Sequence, residues 1–538
     1  MRMLWLLVCT LALLSGAGWC DEQHHHELAE SEIGSVHFLT SCGKDVEADF
    51  NRAIALLHSF QYEDARRAFE EIGRKHPTCA MAQWGVAMSQ YRGLWENGDI
   101  GSGRRALRMA KEIAAGNPKT TARERAYIDA LEVIYQEDGK DAYLHGAAFE
   151  QKMEALEAAY PDDIEAAIFH ALTLDIAAST TDKTFANQRK CGQILEPIFE
   201  KLPNHPGVAH YIIHCYDNPL LAQQGLKAAR AYARIAPASA HANHMPSHIF
   251  TRVGSWEESV QSNKRSEALA AAAEQTSKDG EARDQRLHAM DYMEYAYLQS
   301  GRVSDAKAVV AEMNGLASVA ALTPIGEYAL AAIPARYALE LGKWDEASGL
   351  VARKQAVPWV QAITWMALGV GAARSGNLKR TAEAEQMLEY LRDSTAKLSN
   401  NYWFKQVQVQ LEEVQAWMAE QRGEGTKAVT LITGAADLEE SMDKSPVTPG
   451  AIVPAREMLG QLLLEQKRPQ QALEAYEAVL QVAPKRFNAL YGAATAADAT
   501  GNTVVAHRYF RELIDTSVAE ERPEIGTAKR KLALEAKN

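Results

Sequence analysis

The sequence lacks the features that announce most chemistries. Its 538 residues include only six cysteines and no CxxC pair, which excludes a thioredoxin-like centre or a zinc ribbon. Glycine, at 34, and proline, at 18, are too sparse for a collagen-like or low-complexity chain. Basic charge is short as well: 57 Lys and Arg stand against 70 Asp and Glu, a formal charge of −13. No excess is available to neutralise phosphates, so no nucleic-acid partner is expected. Beyond the N-terminus no apolar run approaches the roughly 20 residues of a membrane helix, and no sustained alternation of apolar and polar residues marks a strand. Phosphate-binding GxxxxGK[ST], nucleophile GxSxG and EF-hand loops are all missing, and Gly369-Val-Gly371 lies inside a helical pattern rather than a dinucleotide fingerprint. Hydrophobic residues at 47% and charged residues at 24% suit a soluble globular chain, long enough for several domains or one repeat array.

Arg2, the apolar run Leu4 to Leu14 and the small residues Ser15 to Gly18 form a secretory signal pattern, with cleavage after Ala17 or Cys20. Residues 1–20 read as a signal peptide and residues 21–44, with the tract His24, His25 and His26, as an N-terminal extension. An uncleaved anchor is the alternative, but the run is short for a bilayer. Trp19 fits poorly before a lipid-bearing Cys20. The expected location is periplasmic or secreted, with no transmembrane segment in the mature chain. Export permits disulfides. Cys42, Cys79, Cys191 and Cys215 allow three pairings, and spacing chooses neither among them nor between disulfides and buried thiols.

From Asp45 onward, helical periodicity dominates and the helices come in pairs. Ala472 and Ala506, and Tyr476 and Phe510, each stand 34 residues apart. Tyr62, Ala65 and Phe69 share the spacing of Thr503, Ala506 and Phe510. A helix pair at this period must stack on its neighbours to bury its apolar stripe, which predicts an all-α solenoid. The pattern resembles the tetratricopeptide repeat (TPR) family over most of residues 45–515, most clearly at 48–77, 204–271, 287–314 and 453–514. Polar segments divide the chain into an N-terminal array (45–271), divergent middle repeats (272–440) and a C-terminal pair with its tail (441–538).

One region departs from plain scaffold. Pro203 and Pro237, His210 and His244, and His214 and His248 are each 34 residues apart. Gly254 and Gly301 both end a leading helix, and their offset of 47 carries His241 onto His288, His244 onto Asp291 and His248 onto Tyr295. These places, spaced i, i+3 and i+7, share one helical face. In the TPR family that face lines the concave groove, so the resemblance implies that the histidines point into it. Histidines at i and i+4, repeated on adjacent helices about 8–10 Å apart, can converge on one ion. The candidate metal set is His210, His214, His241, His244, His248, His288 and Asp291, the last as an oxygen ligand or as an orienting group. Imidazole suits Zn, Cu, Ni or Fe. Tyr295, His58 and Trp84 are candidates to line the groove, with core packing the alternative for His58 and Trp84. Pro246, between His244 and His248, either interrupts a helix at a cost of about 3 kcal/mol or begins one at little cost.

The stretches Cys79–Gly85, His205–Asp217 and His241-Ala-Asn-His-Met-Pro-Ser-His-Ile-Phe250 also resemble a group of exported bacterial TPR proteins, a resemblance that supplies no reaction. His210-Tyr-Ile-Ile-His214 lacks the glutamate of an HExxH protease. The expected function is a groove that binds a peptide or protein, with a histidine-lined centre for a transition metal. A metal-dependent enzyme using the same cluster, with no catalytic residue identified, and a purely structural scaffold stand as alternatives.

Overall fold

The structure, a computed structural model, describes residues 29–94, 98–136, 144–179, 181–275, 280–316, 322–398 and 401–535. The signal pattern at 1–20 and the tract His24 to His26 lie outside the described residues. Among the described residues the secondary structure is helical, without a strand. Helices pair with their neighbours in sequence into hairpins, and the hairpins stack side by side. The result is the all-α helical-hairpin solenoid that the 34-residue period predicts.

Local chemistry explains the hairpins. In helix Tyr62–Lys75, the residues Tyr62, Ala65, Phe69 and Ile72 form one buried stripe, while Arg66 pairs with Glu63 and Glu70 on the outer side. The facing helix Ala80–Tyr91 presents Gly85 to the Phe69 ring, and a Cβ there would lie 2.4 Å from that ring. The same device recurs at the other end of the chain, where the Tyr476 ring sits between Gly460 and Gly492 and would meet a Cβ at 2.9 and 2.2 Å respectively. A hydrogen in place of a side chain is what lets each aromatic ring lie against the neighbouring backbone. Gly254 and Gly301, matched by register in the sequence, both adopt positive φ, +69° and +75°, where a side chain is strained.

Two segments pack across the stack. Near the N-terminus, Ser35 N–H donates to the Asn204 carbonyl (3.0 Å) and Ala238 N–H to the Glu32 carbonyl (3.1 Å). Phe38 is buried against Phe50, Trp84 and Tyr127, and Cys42 is bonded to Cys79. Burial of a Phe this complete contributes about 2–3 kcal/mol. The extension read at 21–44 is, over its described part, a strap tied to the array.

The second segment, residues 441–454, joins the middle repeats to the C-terminal pair. The solenoid curls until helix Phe487–Ala499 packs against helix Glu281–Gln299. Phe487 N–H donates to Gln299 (2.9 Å), Trp256 Nε1–H to the Lys485 carbonyl (3.2 Å), and Val518 N–H to the Ser300 carbonyl (2.9 Å). Buried Arg486 joins Glu340, Glu457 and Tyr295 across this seam. This closure brings residues 443–448 over the histidine-bearing helices.

Candidate metal centre

Three neighbouring leading helices supply the imidazoles. Helix Pro206–Tyr216 starts with proline at its first position and is capped by the His205 ring, which accepts from Val208 N–H. It carries His210 and His214. The next leading helix is two segments, Ala240–His244 and Pro246–Arg252, joined at Met245, whose φ of −51° and ψ of −38° are helical. Pro246 therefore opens the second segment, which is the low-cost reading of that proline. His241, His244 and His248 lie along this broken helix, and His288 comes from helix Glu281–Gln299.

All six rings are buried, none more than 8% exposed, and they meet as the register predicts. His210 Nε2 lies 3.1 Å from both His214 Nε2 and His241 Nε2. His244 Nε2 lies 3.0 Å from His248 Nε2. Two groups each offer three nitrogens within 4.8 Å of one another: His210, His214 and His241, and His244, His248 and His288.

Hydrogen bonds on the far side of three rings fix their tautomers. His210 Nδ1 faces the His58 carbonyl at 2.6 Å, and a carbonyl only accepts. His248 Nδ1 faces Asp217 Oδ2 at 2.8 Å. His244 Nδ1 faces Asn263 Oδ1 at 2.7 Å, and Asn263 is oriented by its own amide donating to the Ser259 carbonyl at 2.8 Å. Each of the three is therefore an Nδ1–H donor whose Nε2 lone pair is turned inward. The inward pair of His244 and His248 is acceptor against acceptor. Burial pushes all six imidazoles below their ordinary pKa. In five of them the neighbouring imidazoles push the same way, while Asp217 pulls His248 back up. His288 Nε2 is buried with no hydrogen-bond partner.

Asp217, just beyond helix Pro206–Tyr216, anchors this wall. It accepts from His248, from Arg252 Nε (2.8 Å) and from Lys444 Nζ (2.8 Å). Against the pull of burial, Lys444, Arg252 and His248 hold its carboxyl well below the usual carboxylate range. Arg252 also reaches Asp443 at 3.1 Å. Tyr292 donates to the Thr448 carbonyl (2.9 Å), with the Pro446 carbonyl at 3.1 Å. The segment at 443–448 thus covers the histidines, which are buried.

The remaining candidates lie apart from the triads. Asp291 is paired with buried Arg336 at 2.5 Å and belongs to neither triad. The arginine, which also reaches Glu294, takes the role that sequence had assigned to a metal or a histidine. Tyr295 packs on Trp256 and takes a hydrogen bond from Arg486 (3.3 Å). Trp84 is buried among Phe38, Tyr127 and Phe169, inside the N-terminal core rather than along a groove. His58 is fully buried in a third cluster. There its Nε2 meets Glu165 at 3.0 Å and its Nδ1 meets the Tyr211 hydroxyl at 2.9 Å.

Sequence reasoning missed Asp217, Asn263 and the His58 carbonyl. Only Asp217 left a trace, as the polar residue ending the His210 helix. It also left the cysteine pairing open, which the structure resolves as Cys42–Cys79 and Cys191–Cys215. The second bond ties helix Ala186–Lys201 to the His210 helix, one residue past His214.

No protein-family model matches the chain, and no curated protein matches it in sequence. Among solved structures it is similar to yeast Tom70, at 10% identity, with 91% of this chain and 89% of that one covered and a TM-score of 0.30. It is also similar to the human IFIT1 dimer with m7Gppp-AAAA, at 11% identity, coverage of 82% and 90%, and a TM-score of 0.34. A third likeness is to the APC/C hetero-tetramer Cut9–Hcn1, at 12% identity, coverage of 90% and 90%, and a TM-score of 0.27. The architecture is an all-α solenoid of stacked helical hairpins. Among the described residues, no helix is long and apolar enough to cross a membrane.

Proposed function

We propose that this chain is an exported helical-repeat protein that holds a transition metal in its buried imidazole cluster. One observation carries the reading: His244 and His248 aim two lone pairs at each other across 3.0 Å, with a ring nitrogen of His288 beside them. Two acceptors at that distance repel unless a cation lies between them. A proton there would be a buried imidazolium whose nearest carboxylate, Asp217, is already shared with two cations. A metal ion instead draws on three nitrogens at once, and tethered Nδ1–H groups are how metal-ligating histidines are oriented. The signal pattern at 1–20 and the two disulfides support export.

Metal analysis of untagged protein tests this, with uptake counted as the difference from a variant so that His24 to His26 do not contribute. Wild type retains Zn, Cu, Ni or Fe through dialysis, and His244→Ala with His248→Ala loses the ion held by His244, His248 and His288, binding measurably less metal while keeping its helicity. Equal metal in both proteins, or none after reconstitution with each ion in turn, overturns the reading.

A second reading, capture of a peptide or protein partner, draws support from a cavity of about 370 Å³ beside the roof segment. Tyr328, Tyr402, Trp403 and Met366 are among its walls, and none of the six histidines is.

A further inference from the structure

The two triads are images of each other along the solenoid. The 34-residue step that carries His210 and His214 onto His244 and His248 is joined by the 47-residue step that carries His241 onto His288. Each triad thus has an i, i+4 pair on one leading helix and a third ring from the next. Each has its own aromatic cover. Phe60 packs on His210, His214 and His241 with ring centroids at 4.3, 5.4 and 5.6 Å. Tyr292 packs on His244, His248 and His288 at 4.8, 4.9 and 5.2 Å. The triads also adjoin. His214–His248 and His241–His244 centroids are 6.4 Å apart, the same spacing as His248–His288 within one triad.

Resting on the metal reading above, we propose that the cluster is a duplicated site, two three-imidazole centres side by side, and that it takes a pair of copper ions in the cuprous state. Three nitrogens per ion would leave room for a further ligand at each.

Charge selects the metal. All six ligands are neutral, and neither triad contains a carboxylate or thiolate. The nearest anion, Asp217, is shared with Arg252 and Lys444, and Asp291 pairs with Arg336 through one oxygen, its other oxygen being buried without a hydrogen-bond partner and part of neither triad. Two divalent ions would bring four positive charges into this buried, cation-flanked space, whereas two cuprous ions bring two. Of the four metals suited to imidazole, copper is the one with an accessible monovalent state. It also heads the affinity order for nitrogen ligands when divalent.

The test is an anaerobic titration of untagged full-length protein with cuprous ion against a chromogenic chelator. His214→Ala and His288→Ala serve as variants, since His288 Nε2 makes no hydrogen bond to lose and His214 lies at the edge of its triad. Circular dichroism confirms the fold of each variant, and His288→Gln is the substitute if one loses helicity. Two equivalents in wild type, one in each single variant and none in the double variant are expected. One equivalent in wild type, abolished by either substitution, means a single shared site and overturns the duplication while leaving the metal reading intact. Two equivalents that persist in both single variants place the copper elsewhere and overturn the proposal. Preference for zinc over cuprous ion in direct competition overturns the choice of copper. No uptake of any metal overturns this proposal together with the reading on which it rests.

Discussion

His58 and His205 each meet an oxygen of Glu165 at 3.0 Å, and the other nitrogen of each ring is also occupied, by the Tyr211 hydroxyl and by Val208 N–H respectively. Next to them, six imidazoles meet mostly one another. Both groups are buried, and both offer ring nitrogens at metal-binding distances. The first has a donor or acceptor matched to every nitrogen, so it behaves as a hydrogen-bonded strut. Against the pull of burial, the donors on His205 and His58 hold Glu165 well below the usual carboxylate range. The second has lone pairs left over. Counting nitrogens near a point therefore does not separate a strut from a site, whereas asking what each nitrogen's opposite side is bonded to does.

The largest effect is expected in the strut. Glu165→Ala leaves the His58 and His205 N–H groups buried without acceptors, at about 1–3 kcal/mol each. Urea denaturation should show a loss of roughly 3 kcal/mol or more. A loss below 1 kcal/mol would erase the distinction between the two groups.

The next effect belongs to the six-histidine cluster, where on the proposed reading stability follows the metal. At a free metal concentration of a hundred times Kd, loading stabilises by about 2.7 kcal/mol. Chelation should therefore lower the melting temperature of the loaded wild type. Metal-free His288→Leu should melt at or above the metal-free wild type, because it replaces an unpartnered buried nitrogen with apolar surface.

The smallest effect carries the contrast to carboxyls. Burial and the neighbouring Glu440 push Glu439 up to about 7, and burial with Glu439 raises Glu413 well above its ordinary value. A raised carboxyl keeps its proton in the fold while the unfolded chain has lost it. Its penalty is absent below about pH 4.5 and grows as pH rises toward 7. Glu439→Gln should therefore raise the melting temperature at pH 8 and leave it unchanged at pH 4.

Much of the fold and the convergence of the site was legible because both follow a period. Steps of 34 and 47 residues placed six histidines on facing surfaces of adjacent helices, and the paired glycines 254 and 301 share the positive φ that their register implied. The supports of the site were not legible because they follow no period. The His58 carbonyl is backbone and carries no residue signature, and it lies 152 residues from the ring that it orients. The burial of the cluster depends on residues 443–448, reached only because the solenoid closes on itself. Asp291 occupied the expected place, but its partner Arg336 lies 45 residues away on another helix, and no spacing rule links the two.

Lys444 reaches Asp217 across 227 positions of sequence. During synthesis from the N-terminus, all six imidazoles are made long before the residues that seal them. On the proposed reading, the order of translation gives the nascent chain an interval in which an ion can enter from solution. On the proposed metal reading, once residues 443–448 have folded the ion should exchange only as fast as that segment lifts. Cargo acquired early and released slowly is the kinetic signature to seek.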